Sequence, residues 1–320
     1  MAAYHRGMMN ILSDVILPAG RSAIELSLFV LWPVMLVMLT LMRLLENWGL
    51  MDWLVARLAP LLRPFGLTGL GVFAALQVNL VSFAAPMATL SMMEERGTSD
   101  RHMAAAFAMV LAMAQANATF PLGAMGLSLG LTLIWSVFGG LLAAVVTYYL
   151  VGRHLSSEEH LSDDRPHHTH HTGPKGVLDV ISAAGAEAFR LTIGAVPLLV
   201  LSLAVVMALR QSGAVDAFSV IVAPVLSRLG IDPQIILPTL TKYLAGGTAM
   251  MGVVDHMVHS GQMSSHLLNS SAGFLINPMD LPGVALLSTA GRRVAKVWKP
   301  AVVGSLAGIA LRTAAHILLT

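Results

Sequence analysis

The sequence predicts an all-α polytopic membrane protein of two homologous halves, with broken or re-entrant helices and about 8 to 10 membrane segments. Three observations lead there. Apolar residues fill 56% of the 320 positions and charged ones only 11%. Mean hydropathy is +0.75, and such a composition does not sustain a soluble surface. Long apolar runs are interrupted by Pro, Gly, Asn and Gln, and the order of these interruptions occurs twice. A soluble enzyme, a secreted scaffold and a disordered tail are excluded, and no catalytic residue is expected. The chain has no cysteine, which excludes disulfides, thiolate metal sites and cysteine nucleophiles. A net charge of +2 fits the basic loops of a bacterial inner-membrane protein, and nucleic acid is not an expected partner.

Taken in order, Met1 to Arg21 lack the pattern of a secretory signal, because Asp14 and Arg21 bracket their one apolar run. Ile11, Val15, Ile16, Ala19 and Ala23 recur at helical spacing and predict an interfacial helix. Ile24 to Met42 is apolar apart from Glu25 and predicts the first span. Asn47 to Phe65, with Arg57, Arg63, Pro60 and Pro64 among leucines, predicts an amphipathic interfacial helix. Val72 to Met93 and Met103 to Met125 predict spans carrying polar interruptions, and Leu127 to Val151 a clean one. Arg153 to Gly176 is a polar linker with six of the twelve histidines. The expected division is 1–152 for the first half, 153–176 for the linker and 177–320 for the second half.

The halves align by order and spacing. Asp14-Val15-Ile16 returns as Asp179-Val180-Ile181, and Pro33 as Pro197. Gly49, Asp52, Pro60 and Gly66 match Gly213, Asp216, Pro224 and Gly230 at an offset of 164, and Asn117 and Pro121 are echoed by Asn277 and Pro282. Duplicated halves with broken helices are a transporter signature, the substrate lying near the midplane between repeats. Arg292, Arg293, Lys296 and Lys299 split the end of the second half, so Leu267 to Ala290 reads as a crossing or as a re-entrant hairpin. A crossing makes the repeats parallel and a hairpin makes them inverted.

A helix broken inside lipid leaves backbone groups that only protein, water or substrate can satisfy. The breaks at 82–86, 115–121, 242–248 and 277–282 are therefore the candidate solute site, with Gln77, Asn79, Ser82, Gln115, Asn117, Thr119, Thr241, Lys242, Asn277 and Asp280 as its polar side chains. Lys242 and Asp280 are ionisable groups within apolar segments and are expected to pair or to serve a function. Asp255 and His259, four apart on one helical face beside His256, are candidate metal ligands, as are His167, His168, His170 and His171 in the linker. Tyr243 is the one aromatic expected beside the breaks. Gly126-Leu127-Ser128-Leu129-Gly130 fits a nucleophile elbow by formula but lies between membrane segments, where it reads as small-residue packing. No Walker A sequence is present, so transport would be driven by a gradient or a separate protein.

The blocks Ser82-Phe83-Ala84-Ala85-Pro86-Met87-Ala88-Thr89 and Ala116-Asn117-Ala118-Thr119-Phe120-Pro121 resemble the Gate domain, also called the nucleoside-recognition domain. That domain occurs twice in the membrane part of the ferrous-iron transporter FeoB. Ala85 and Ala116 stand at about its cysteine positions and Thr119 at about its arginine. The resemblance implies two Gate-type halves around a central cavity. Expected partners are the lipid bilayer and a small polar solute, foremost a divalent metal cation as substrate. A small organic anion or nucleoside is the second expectation, and a non-transporting scaffold the third. No cofactor other than that metal ion is expected, and a homodimer is compatible with the architecture.

Overall fold

The computed structural model describes residues 12–158, 176–228 and 231–320, and these are helical with no strand among them. Residues 12–47 form one helix, α1, with two wide π turns at Leu12–Ile16 and Leu26–Leu31 just ahead of Pro18 and Pro33. Such turns accommodate the hydrogen bond that a proline removes, so the helix continues. The separate interfacial helix expected up to Arg21 is therefore not seen over residues 12–21, which belong to the first long helix; residues 1–11 lie outside the described part. A short helix, α2 (Leu50–Leu62), follows. With its terminal turn it bends through 107° into α3 (Gly69–Leu80).

Helices α3 and α4 (Pro86–Glu95) fold back and pack on each other. At about 1.5 Å per residue each is far shorter than the hydrocarbon core, so Val72 to Met93 forms a hairpin and not the single span its length predicts. Next come α5 (Asp100–Ala112), α6 (Ala116–Ala124) and α7 (Leu129–Val146). Helices α5 and α6 together form one interrupted span. After the linker, α8 (Val177–Gln211) runs for 35 residues and α9 (Ala214–Arg228) turns away from it. Helices α10 (Ile236–Ala245) and α11 (Gly247–His259) form a second packed pair. They are followed by α12 (Ser265–Leu275), α13 (Leu281–Ser288), α14 (Arg292–Lys296) and α15 (Trp298–Leu319). The folded-back pair of this half is thus 236–259. Residues 265–288, read as a crossing or a hairpin, form two helices on either side of a break, with little packing between them. Five helices among the described residues are long and apolar enough to cross a membrane, or six if the bent pair counts as one. The chain is a multi-pass membrane protein, and Phe29, Leu178, Val220, Ile221 and Leu318 present apolar side chains outward as lipid requires.

The inner layer is a bundle of α5, α7, α12 and α15. Without a hydrophobic drive inside lipid, association depends on close packing, and small residues permit it. Every residue from Met103 to Ala112 on α5 is buried. Gly139 and Gly308 bring α7 and α15 nearly backbone to backbone, and Gly273 of α12 rests on the backbone of Arg312 and Thr313. The outer layer is α1 against α8, held by Met35, Leu39, Ala184 and Ala188, by an Arg43–Glu187 ion pair and by an edge contact of Trp32 with Phe189 at 5.7 Å.

Gly273→Val should lower the thermal transition of the detergent-solubilised protein, because its Cβ would overlap Thr313 main chain and overpacking costs about 1–3 kcal/mol or more. Gly20→Ala, where nothing lies within 4 Å, should leave the transition unchanged or raise it slightly; fluorescence-detected melting measures both.

Candidate functional site

Each of the four breaks has a local cause. Pro86 and Pro282 stand in the first turn of α4 and α13, where a missing amide is tolerated. Met113 is extended at φ −78° and ψ 157°, ending α5. Gly246, at φ +94° and ψ 169°, occupies a region essentially reserved for glycine. Gly247 presses on the Gln115 amide so closely that a Cβ would overlap it.

The breaks converge on one cavity of about 250 Å³. Ser82 and Phe83 come from the first break, Gln115 and Asn117 from the second, Gly246 to Thr248 from the third, and Asp280 with Pro282 from the fourth. The outer layer closes it with Leu31 and Met35 of α1 and Thr192 and Leu199 of α8. Helices α4, α6, α11 and α13 all start at this cavity, so their free amides and positive dipole ends surround it.

Of the ten polar residues expected at the site, Ser82, Gln115, Asn117 and Asp280 line this cavity and the other six do not; Thr241 lines a second pocket, between α8 and α10. Asn117 Oδ1 accepts from the Phe83 amide at 3.3 Å, tying the first break to the second. Asn79 Oδ1 accepts from Ser136 Oγ, which accepts from the Ala114 amide, each at 2.7 Å. Gln77 Oε1 accepts from Thr89 Oγ1 at 2.7 Å and joins α3 to α4. Thr119 donates to the Gln115 carbonyl at 2.9 Å and Thr241 to that of Leu237 at 2.9 Å, so both hydroxyls are spent within their own helices. Asn277 shapes its turn, donating to Phe274 O at 3.0 Å and accepting from Met279 N at 3.1 Å. Asp280 caps α13 through the Gly283 amide at 2.7 Å. Its second oxygen holds the ammonium of Lys242, which is wholly buried.

The metal ligands expected on α11 do not assemble. His259 Nδ1 lies 2.9 Å from the Asp255 carbonyl and 3.3 Å from its carboxylate. The i to i+4 spacing that suits a metal is used here by a pairing within the helix. His256 and His259 are exposed, away from the cavity, and no group of three or more His, Cys, Asp or Glu side chains gathers among the described residues. His167, His168, His170 and His171 lie outside the described residues. Tyr243 spends its hydroxyl on Phe274 O at 3.1 Å and does not line the cavity; the aromatic side chain that does is Phe83. Its signal was its place inside the first break, where a ring has no helical neighbours to pack with.

Residues 28–132 match the Gate family, described as nucleoside recognition. No curated protein matches the chain by sequence. Among solved structures, CNTnw in an inward-facing substrate-bound state is similar with a TM-score of 0.68 at 16% identity, covering 91% of this chain and 75% of that one. A double variant of CNTnw in an outward-facing state gives 0.67 at 15%, over 91% and 76%. A single variant in an intermediate state gives 0.62 at 15%, over 91% and 77%. None of these three is a ferrous-iron transporter. The likeness shows that the fold of this chain is shared with CNTnw.

Proposed function

We propose that this chain is a membrane transporter of nucleosides or closely similar solutes, neutral molecules that join a flat ring to several hydroxyls. The observation that carries this is the convergence of four helix breaks on one cavity furnished with amides, hydroxyls, free backbone ends and the Phe83 ring. The cavity's one lining carboxylate, Asp280, is neutralised by Lys242 and engaged as a cap. A divalent cation needs several unshared oxygen or nitrogen ligands, so the metal substrate expected from the sequence gives way to the organic one. The pairing equally removes Lys242 as a free partner for an organic anion. The Gate match, described as nucleoside recognition, and the fold shared with substrate-bound CNTnw support this reading.

The two halves act as inverted repeats. The order of long helix, short helix, folded-back pair, broken helix and closing helix occurs in residues 12–151 and again in 177–319. Gly49 and Gly213, an aligned pair, both turn at positive φ, +70° and +73°. Ser99 and Ser264, 165 apart, cap α5 and α12 through the amides of His102 and Leu267. With the folded-back pairs not crossing, the first half has three candidate spans and the second has two, and taking α12 with α13 as a broken third gives each half an odd number of crossings. Opposed halves around a midplane site are the geometry of alternating access. A bacterial inner membrane is the setting for such a helical bundle.

Uptake of labelled uridine and adenosine by proteoliposomes tests the proposal. Saturable uptake is expected, competed by unlabelled nucleoside and not by ferrous iron, zinc or manganese; metal uptake without nucleoside uptake would reverse the assignment. Phe83→Ala should weaken nucleoside binding roughly 5- to 150-fold, since stacking on an aromatic ring contributes about 1–3 kcal/mol per base. Asn117→Ala should cut kcat/KM by about tenfold or more through a lost hydrogen bond and a loosened Phe83 amide. A membrane scaffold without transport would instead show only altered stability in these variants.

A further inference from the structure

Among the described residues, one charged side chain serves neither the cavity nor the surface. Arg312 lies on α15 and is wholly buried. Its stem lies against Gly139 of α7, and Nη1 donates to the carbonyl of Ala112 at 2.6 Å. No carboxylate pairs with it among the described residues, and its Nε and Nη2 have no hydrogen-bond partner there. An unpaired buried charge is costly, so its position is informative. Ala112 is the last residue of α5, where the helix stops and its final carbonyls lose their helical partners. Gly273, two residues from the end of α12, touches the backbone of Arg312 itself. The guanidinium is therefore stationed where the leading half of one broken span ends, on a residue that abuts the other. The negative end of the half-helix dipole offsets its charge.

Half-helix ends and unwound carbonyls are where transporters built on broken helices hold a coupling cation. Here side chains already bring positive charge to both halves: Arg312 to the end of α5, and Lys242 to Asp280 in the fourth break. Several side-chain oxygens at the breaks are engaged as well. Gln77 Oε1, Asn79 Oδ1, Asn117 Oδ1 and Asn277 Oδ1 each accept from a protein donor. Both Asp280 oxygens do too, and the Gln115 carbonyl accepts from two amides and the Thr119 hydroxyl.

We infer that Arg312 and Lys242 are resident cations standing in for a co-transported one, so that this chain moves its solute down the solute's own gradient without sodium or proton coupling. The inference rests on the transport reading above and adds the thermodynamic class of the process. In this account Arg312 is a positioning residue: it holds the ends of the broken helices together throughout the cycle.

The test uses the full chain in proteoliposomes with labelled uridine, comparing an inward sodium gradient, potassium or choline in its place, and an inward proton gradient against none. Initial rates should agree within about twofold, and uptake should plateau at equal internal and external uridine. Accumulation above that level, or a rate that rises tenfold with either gradient, would overturn the inference while leaving transport itself intact. No uridine flux under any condition, with folded protein, would overturn the transport reading and the inference with it. Arg312→Gln should lose at least tenfold in flux and Arg312→Lys should retain most of it, because the second keeps the charge. Wild-type flux in folded Arg312→Gln would contradict the role given to Arg312. If the glutamine variant fails to fold, the gradient comparison on the wild-type chain decides the matter.

Discussion

Everything in this fold answers to one constraint: a helix broken inside a bilayer exposes amides and carbonyls that have no water to turn to. The chain breaks four helical segments around one cavity and satisfies the freed groups with a small set of side chains. Asn117 takes the Phe83 amide, Ser136 takes that of Ala114, Asp280 takes that of Gly283, and Arg312 serves the Ala112 carbonyl. Each bond crosses a break or caps one. The polar residues lining and backing the cavity are thus the reason it can exist, and the ends of α4, α6, α11 and α13 open onto it.

Holding such breaks in register requires a rigid frame, and small residues provide it. Gly139, Gly308 and Gly273 let α7, α12 and α15 approach until main chains touch, while the run of alanines on α5 fills what remains. In lipid, dispersion and close contact must supply what water supplies elsewhere. The outer pair, α1 and α8, is joined by one ion pair and a modest apolar cluster, and it forms the cavity wall opposite the breaks.

Much of this was legible in the sequence because polar groups and prolines are expensive in an apolar run, so their positions marked all four breaks. The Lys242–Asp280 pair was legible for the same reason. Other features were not. Composition cannot separate a hairpin from a crossing, so Val72 to Met93 reads as a span, Leu267 to Ala290 reads as either, and the folded-back pair at 236–259 goes unmarked. Asp255 and His259 had the spacing of metal ligands, which is also the spacing of a pairing within one helix. Nothing along the chain marks Phe83 as a cavity residue or Arg312 as buried, since an arginine toward a helix end ordinarily reaches for the interface. The last two are placed by tertiary packing, which spacing along a chain does not encode.

The central claim is that the four breaks enclose a site for a neutral, ring-bearing solute, and the chain's lack of cysteine makes a direct measurement available. Ser82→Cys places a single thiol at the cavity, and Thr119→Cys places one in the buried helix beside it. With a small polar thiol reagent, the account predicts that the first is labelled and is protected by uridine in a saturable manner, while the second is not labelled. Labelling at position 82 that no nucleoside slows, in protein that remains folded, would contradict it.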